Sequence, residues 1–269
     1  MMSATGFLIL LIALVHYFLN VKQHKTIVNP IVLKVSMVIS SVLSLVSLIT
    51  LEFSLNASSI LSVVFAVNSL VTCAVFTYFL ASKNTPIGNI QVGVGDKLLA
   101  FQTPDFDSSS LTGKRILLKF YRGAWCPYCA SELIMLEKLQ GLFKQYQVEV
   151  LAISNDSKAQ QLQHKKRDEL THTFICDANL NIIKLYGVEH HKTLGATIDD
   201  TINIFGIALP LPWKMRFKAM AIPTTILINE TGEITWIDQS NDYRIRASEV
   251  AITDALVHSF DKPKLNTLS

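Results

Sequence analysis

Two cysteines, Cys126 and Cys129, flank Pro127-Tyr128 directly after the apolar run RILLKFY of residues 115–121. A Cys-x-x-Cys at a strand-to-helix junction puts two sulfurs one helical turn apart, close enough to bridge, and the chemistry open to it is two-electron thiol–disulfide exchange. With Cys126 at the helix N-cap, Pro127 takes the first helical position, where its missing N–H is no loss and its fixed φ suits the turn. The helix N-terminus then favours a thiolate on Cys126, and Arg122, four residues earlier, adds positive charge. On this reading Cys126 attacks and Cys129 resolves the mixed disulfide. Trp125 flanks the reactive sulfur as a flat apolar docking surface, with a plain core role as its alternative.

The elements that must position this pair follow from periodicity. RILLKFY and VEVLAIS (148–154) are apolar runs of strand length, and CASELIMLEKLQGLFKQY (129–146) carries Leu133, Leu136, Leu139, Leu142 and Phe143 at helical spacing. The polar helical run SKAQQLQHKKRDEL, the segment THTFICD and the helical NLNIIKLYGV come next. TTILI (224–228), a turn at 229–232, ITWID (234–238) and a closing helix from about 247 to 260 complete the series. Strands alternating with helices and ending in a hairpin and a helix predict an α/β domain, a mixed central sheet flanked by helices.

Half of the 269 residues are apolar, and they crowd into the first third. Residues 5–19, 31–51 and 57–81 each approach or exceed the roughly 20 residues that cross a bilayer, which predicts three transmembrane helices. MMSATG carries no Lys or Arg and no small-residue cleavage site follows, so the first helix reads as retained rather than as a signal peptide. Lys22 and Lys25 lie between the first two helices, with Lys34 near enough to snorkel, and only Glu52 lies between the second and third. With Lys83 and Lys97 beyond the third, the positive-inside rule puts the C-terminal part in the cytoplasm, the periplasm being the alternative. The chain thus reads as an integral protein of the bacterial inner-membrane kind: a membrane region at 1–82 in contact with lipid, a linker at 83–94 and a redox domain at 95–269. Its formal charge of +3, without any basic block, excludes nucleic acid as a partner class.

WCPYC before a helix, with Ile222-Pro223-Thr224 opening a later strand, resembles the thioredoxin fold. That resemblance implies a cis proline packed against the cysteines, leaving the backbone of the residue before it to pair with substrate. Trp125, Tyr128, Ile222, Pro223 and Thr224 become the expected substrate contacts. The wider frame is similar to the peroxiredoxin-like AhpC/TSA redoxins: VGVGDKLLAFQTPDFD, FICDANLNIIKLYGV and ILINETGEITWIDQSNDYRIR resemble that group's opening, middle and closing segments, over nearly all of residues 93–260. Peroxiredoxins hold peroxide with a P-x-x-x-T-x-x-C motif and a distant Arg. Aligned on Cys129, this sequence has Arg122 for the Pro, Cys126 for the Thr and Pro223 for the Arg. Cys-Pro-Tyr-Cys is also the glutaredoxin motif. The resemblance and these replacements imply a thiol–disulfide oxidoreductase, without cofactor or metal, passing electrons between a thiol donor and a protein or small-molecule disulfide. A thiol peroxidase acting on hydroperoxides is the alternative. The buried Asp of thioredoxin is Phe120 here, so proton transfer at Cys129 must use another group or water.

Other residues admit two readings. The pair is no half of a zinc site, because no second Cys-x-x-Cys or spaced His pair supplies four ligands. His190-His191 reads as solvated loop, or joins the cysteines in a copper site of a non-catalytic metal-binding or assembly module. Cys176 reads as a buried strand cysteine or a resolving partner for Cys129, and Cys73 as a small packing residue in the third membrane helix. Arg244 and Arg246 are surface cations, or one of them reaches the active site in place of the missing Arg. Residues 189–221, with Trp213, Lys214, Arg216 and Lys218, form a long connection: a lid over the redox site, or a flap resting on an anionic membrane face.

Overall fold

The computed structural model describes residues 2–23, 25, 27–51, 56–81, 89–190, 201–204, 207–210, 219–239 and 241–260, with 201–204 and 207–210 given by backbone alone. The chain divides into two compact units, residues 1–84 and 85–269.

The first unit contains α1 (Met2–Lys22), α2 (Ile31–Ile49) and α3 (Ala57–Ala81), each long and apolar enough to cross a membrane. Its packing is inverted relative to a water-soluble bundle. Ser3, Gly6, Ser40, Ser44, Ala66 and Ser69 are buried, while Leu8, Ile12, Val38, Val42 and Ile49 face outward. Lipid tails are as apolar as these outward side chains, so helices gain by close backbone approach through small residues. A Cβ on Gly6 would come within 3.2 Å of the Ser40 carbonyl oxygen, so a larger residue there would push α1 and α2 apart by a few tenths of an ångström. Cys73 is buried here with its Sγ 3.5 Å from the Met37 carbonyl oxygen, and Lys34 Nζ donates to Asn29 Oδ1 at 2.6 Å, turned toward its helix end.

The second unit opens with a short hairpin, β1 (Gln102–Thr103) and β2 (Phe106–Asp107). It continues through β3 (Arg115–Phe120), α4 (Pro127–Lys138), α5 (Gln140–Tyr146), β4 (Val148–Ser154), α6 (Lys158–Asp168), β5 (Thr173–Cys176) and α7 (Asn181–Leu185). Four short strands follow, β6 (Glu189–His190), β7 (Thr201–Ile204), β8 (Ile207–Pro210) and β9 (Met220–Ala221), and then β10 (Thr224–Ile228), β11 (Ile234–Gln239) and α8 (Glu249–Ser259). The central sheet has the order β11-β10-β3-β4-β5, parallel from β3 to β5 and antiparallel at β10 and β11. This is the mixed sheet of a thioredoxin-like α/β fold.

Both faces of the sheet are covered, which is why β3 and β4 read as near-continuous apolar runs. Ile116, Leu118 and Phe120 enter one core with Leu151, Ile153, Ile183 and Tyr186. Leu117 and Tyr121 enter the other with Cys126, Cys129, Leu133, Leu136, Ile252 and Leu256. The period-2 alternation of β3 therefore aims Lys119 at the face that carries the cysteines.

The helix expected at 129–146 is two helices. Leu139 (φ −84°, ψ 4°) ends α4 and starts α5, at the point where Gly141 weakens helix propensity, and the break lets Phe143 and Tyr146 reach the core. Part of the connection at 189–221 is an antiparallel hairpin, β7 with β8, with Pro210 at the end of its ladder. Residues 191–200, 205–206 and 211–218 lie outside the described residues, and with them His191, Trp213, Lys214, Arg216, Lys218 and the lid or flap reading.

Candidate active site

The site is built where β3 ends and α4 begins. Cys126 is the N-cap of α4 with extended backbone, and Pro127 opens the helix. Its thiol makes no capping hydrogen bond, and both cysteines are free and buried, Cys126 at 1% and Cys129 at 0% exposure. The sulfur expected at the surface beside Trp125 is therefore enclosed in the resting structure. Tyr121, at the end of β3, and the α4 and α8 side chains close over it.

The donors converge on Cys129 rather than Cys126. The Arg122 backbone N–H donates to Cys129 Sγ at 3.4 Å, and the Arg246 guanidinium donates to it at 3.5 Å. Burial pushes both thiols up. At Cys129 this is outweighed by a hydrogen bond from the Cys126 thiol, the Arg246 charge and the Arg122 N–H, so its pKa falls well below the usual thiol range. Cys126 is held well above it, first by burial and then by sharing its proton with Cys129. The helix N-terminus alone placed the thiolate on Cys126; the tertiary donors shift it one turn into the helix.

Arg246 is thus the arginine that reaches the dithiol, while Arg244 pairs with Asp242 at 2.8 Å. Sequence reasoning missed what anchors Arg246. Its Nε lies 2.9 Å from Glu132 Oε2, and Glu132 Oε1 accepts from Lys119 Nζ at 2.6 Å. Lys119 also donates to Thr225 Oγ1 at 2.9 Å, and both Lys119 and Glu132 are 1% exposed at the side chain. Burial raises the Glu132 carboxyl above its ordinary value against the pull of Lys119 and Arg246. The signal for this network was available: a lysine inside RILLKF, and a glutamate on the same helical face as Cys129, Leu133 and Leu136.

The remaining expected residues are distributed unevenly. Arg122 is 2% exposed, its guanidinium stacked 4.2 Å from the Tyr243 ring and 5.3 Å from Trp125, with Nε on Met220 Sδ at 2.9 Å. Trp125 is half-buried at this edge, whereas Tyr128 is buried edge-on against Tyr243. Thr224 pairs with Phe120 across β10 and β3, which puts Pro223 at the sheet end from which the loop to Cys126 departs.

Two details differ from the thioredoxin expectation. No peptide bond is cis among the described residues, so Ile222–Pro223 is trans. The Ile222 backbone is also engaged, its N–H donating to the Val188 carbonyl at 2.7 Å and its C=O accepting from Thr224 Oγ1 at 3.0 Å. The first of these bonds extends the β6–β9 ladder, and the Ile222 side chain packs in the core opposite the cysteines. Cys176 is half-buried in β5, which pairs with β4 and leaves it paired in register with Ser154. No group of three or more His, Cys, Asp or Glu residues fit to hold a metal occurs among the described residues.

Similar proteins include the thiol-disulfide oxidoreductase ResA of Halalkalibacterium halodurans, 29% identical over 146 residues, 52% of this chain and 65% of that protein. A 1-Cys peroxiredoxin of Dictyostelium discoideum is 26% identical over 160 residues, 54% of this chain and 62% of that protein. The chain therefore spans less than two thirds of the length of either relative. The crystal structure of peroxidoxin BcpB from Mycobacterium tuberculosis overlaps 64% of this chain and 100% of its own, with TM-score 0.48 and 17% identity. The AhpC/TSA family profile matches residues 94–237, a stretch that is more than half of the sequence and runs from before the dithiol and α4 through β10 into β11, and the chain belongs to the AhpC/TSA family.

Proposed function

We propose that this chain is a membrane-anchored thiol–disulfide oxidoreductase whose working pair is Cys126 and Cys129. The observation that carries the reading is the placing of two free, buried cysteines at the start of α4, with the Arg122 N–H and the Arg246 guanidinium both on Cys129. In the reducing direction the Cys126 proton passes along its hydrogen bond to Cys129, and the Cys126 sulfur attacks a substrate disulfide. One S–S bond forms as another breaks, and the first substrate thiolate leaves. Cys129 then gives up its proton and attacks Cys126, releasing the second thiolate and leaving Cys126–Cys129 oxidised by two electrons. Arg246 stabilises the Cys129 thiolate in the resting pair and again when Cys129 loses its proton to attack Cys126. Glu132, paired with Arg246 and raised by burial, is the buried acid available for the Cys129 proton, in place of the Asp that Phe120 replaces. A thiol donor of low potential closes the cycle.

One observation favours a second reading. Arg246 restores to Cys129 the cationic donor that a peroxide site needs. In a thiol peroxidase the Cys129 thiolate would attack the peroxide oxygen, expel an alcohol and become a sulfenic acid, which Cys126 would condense to the disulfide with loss of water.

The two readings separate on the purified full chain in detergent, supplied with a small dithiol. Reduction of insulin disulfides that is lost in Cys126→Ser supports the oxidoreductase. Hydroperoxide consumption with sulfenic acid trapped at Cys129 in Cys126→Ser supports the peroxidase. Absence of both activities overturns the enzymatic assignment.

A further inference from the structure

Cys126 is 1% exposed, and no substrate sulfur can meet it without movement of the loop between β3 and α4. That loop, Tyr121 to Trp125, is fastened from two sides at one residue, through the peptide groups before and after it. The Ala124 N–H donates to Asp156 Oδ2 at 2.8 Å, and the Ala124 carbonyl accepts from Arg167 at 3.2 Å. Neither residue is hydrogen-bonded to a cysteine sulfur, although the Asp156 carboxylate and Cys129 act on each other through space. Asp156 lies just before α6, 4% exposed, and Arg167 lies in its last turn.

The fit around this residue is tight. Gly123 has φ +139°, and a Cβ there would lie 2.7 Å from Asp156 Oδ1 and 2.7 Å from Trp125 Nε1, so only glycine lets the loop settle onto the carboxylate. Arg167 is held in turn by Asp168, two contacts of 2.7 Å, and Asp168 Oδ2 is 3.1 Å from the buried His164 Nε2. The β4–α6 junction and the last turn of α6 form a rigid jaw closed on the Ala124 backbone. Both groups facing that backbone are charged, and charge-assisted bonds of this kind contribute more than neutral ones.

We propose that Asp156 and Arg167 are positioning residues that latch the Ala124 backbone, and that release of this latch exposes Cys126 to its reaction partner. The proposal rests on the reading of Cys126 as the sulfur that meets substrate. It is tested without any substrate, so that a failure of one is not mistaken for a failure of the other. Arg167 is itself 46% exposed and Asp168 keeps His164 as a partner when Arg167 is replaced, which is checked by an unchanged far-UV circular dichroism spectrum, and Asn at 156 keeps an oxygen for the Ala124 N–H.

The test is the rate of iodoacetamide alkylation of the reduced full chain in detergent, resolved at Cys126, Cys129 and Cys176 by tandem mass spectrometry across a pH series. Expected is a rise of about tenfold in the high-pH plateau at Cys126 in Asp156→Ala and in Arg167→Ala, the factor that corresponds to loss of one charged hydrogen bond. Asp156→Asn, which keeps a neutral acceptor for the Ala124 N–H, is expected to fall between wild type and Asp156→Ala, and the rate at Cys176 to stay unchanged. An unchanged plateau, a shift of the midpoint alone, an equal rise at Cys176, or an Asn variant as fast as the Ala variant would each overturn the latch.

Discussion

The residue that most changes the chemistry of the Cys-x-x-Cys is Glu132, because it anchors Arg246 beside Cys129 and neutralises Lys119 in the same contact shell. Removing one partner of a buried ion pair leaves the other uncompensated, a loss of about 3–5 kcal/mol. Glu132→Gln is therefore expected to lower the denaturant midpoint substantially. Lys119→Met combined with Glu132→Leu is expected to recover only part of that loss, because Arg246 still lacks its carboxylate. Asp156 offers a pH signature. Burial pushes its carboxyl up to about 6 from the usual 3.8, opposed by the Ala124 N–H and the charge of His164. Between those two values the folded state retains a proton that the unfolded chain has lost, so its contribution to stability is full below the lower value and is lost as pH rises through the upper. The amplitude is at most on the order of 3 kcal/mol. Asp156→Asn is expected to flatten the fall in stability between pH 4 and 7, measured by urea denaturation at each pH.

At the scale of elements, the site depends on a strand end, a sharp loop and a helix start meeting in one register. Gly123 is the pivot, and its positive φ is a conformation that other residues adopt only with strain. Gly123→Ala is expected to destabilise the redox unit by about 1–3 kcal/mol and to displace the loop from Asp156, with faster Cys126 alkylation as the local readout. The strands and the apolar face of α4 were legible because their periodicities are strong. The break at Leu139 was not, since Leu139 continues the helical pattern and only the need to turn Phe143 and Tyr146 inward decides it. The hairpin β7–β8 was hidden because its strands, TINI and IALP, are only four residues each and too short to establish a period. Ile222-Pro223-Thr224 was legible as the opening of a strand, but the engagement of Ile222 by Val188 follows from the distant β6–β9 pairing.

At the scale of the molecule, the two units are built for different solvents. The first exposes apolar side chains and buries serines and glycine, while the second closes two apolar cores around a sheet. A chain beginning at residue 85 is expected to fold alone, with one cooperative urea transition followed by far-UV circular dichroism; a broad or absent transition would show that the redox unit needs the helices. From Lys22, Lys25 and Lys83 and the positive-inside rule we propose that the redox unit faces the cytoplasm. Protease added outside intact spheroplasts is expected to leave it uncut, and its digestion would reverse the orientation.

The sequence by itself determined the three helices long and apolar enough to cross a membrane, the α/β frame and the dithiol at a helix start, because length, hydrophobic period and cysteine spacing act over a few turns of chain. Tertiary structure decided which sulfur holds the negative charge. The groups that settle it, Arg246 and Glu132, come from a loop and a helix face that only folding brings to Cys129, and their effect is strong because the site is closed to water.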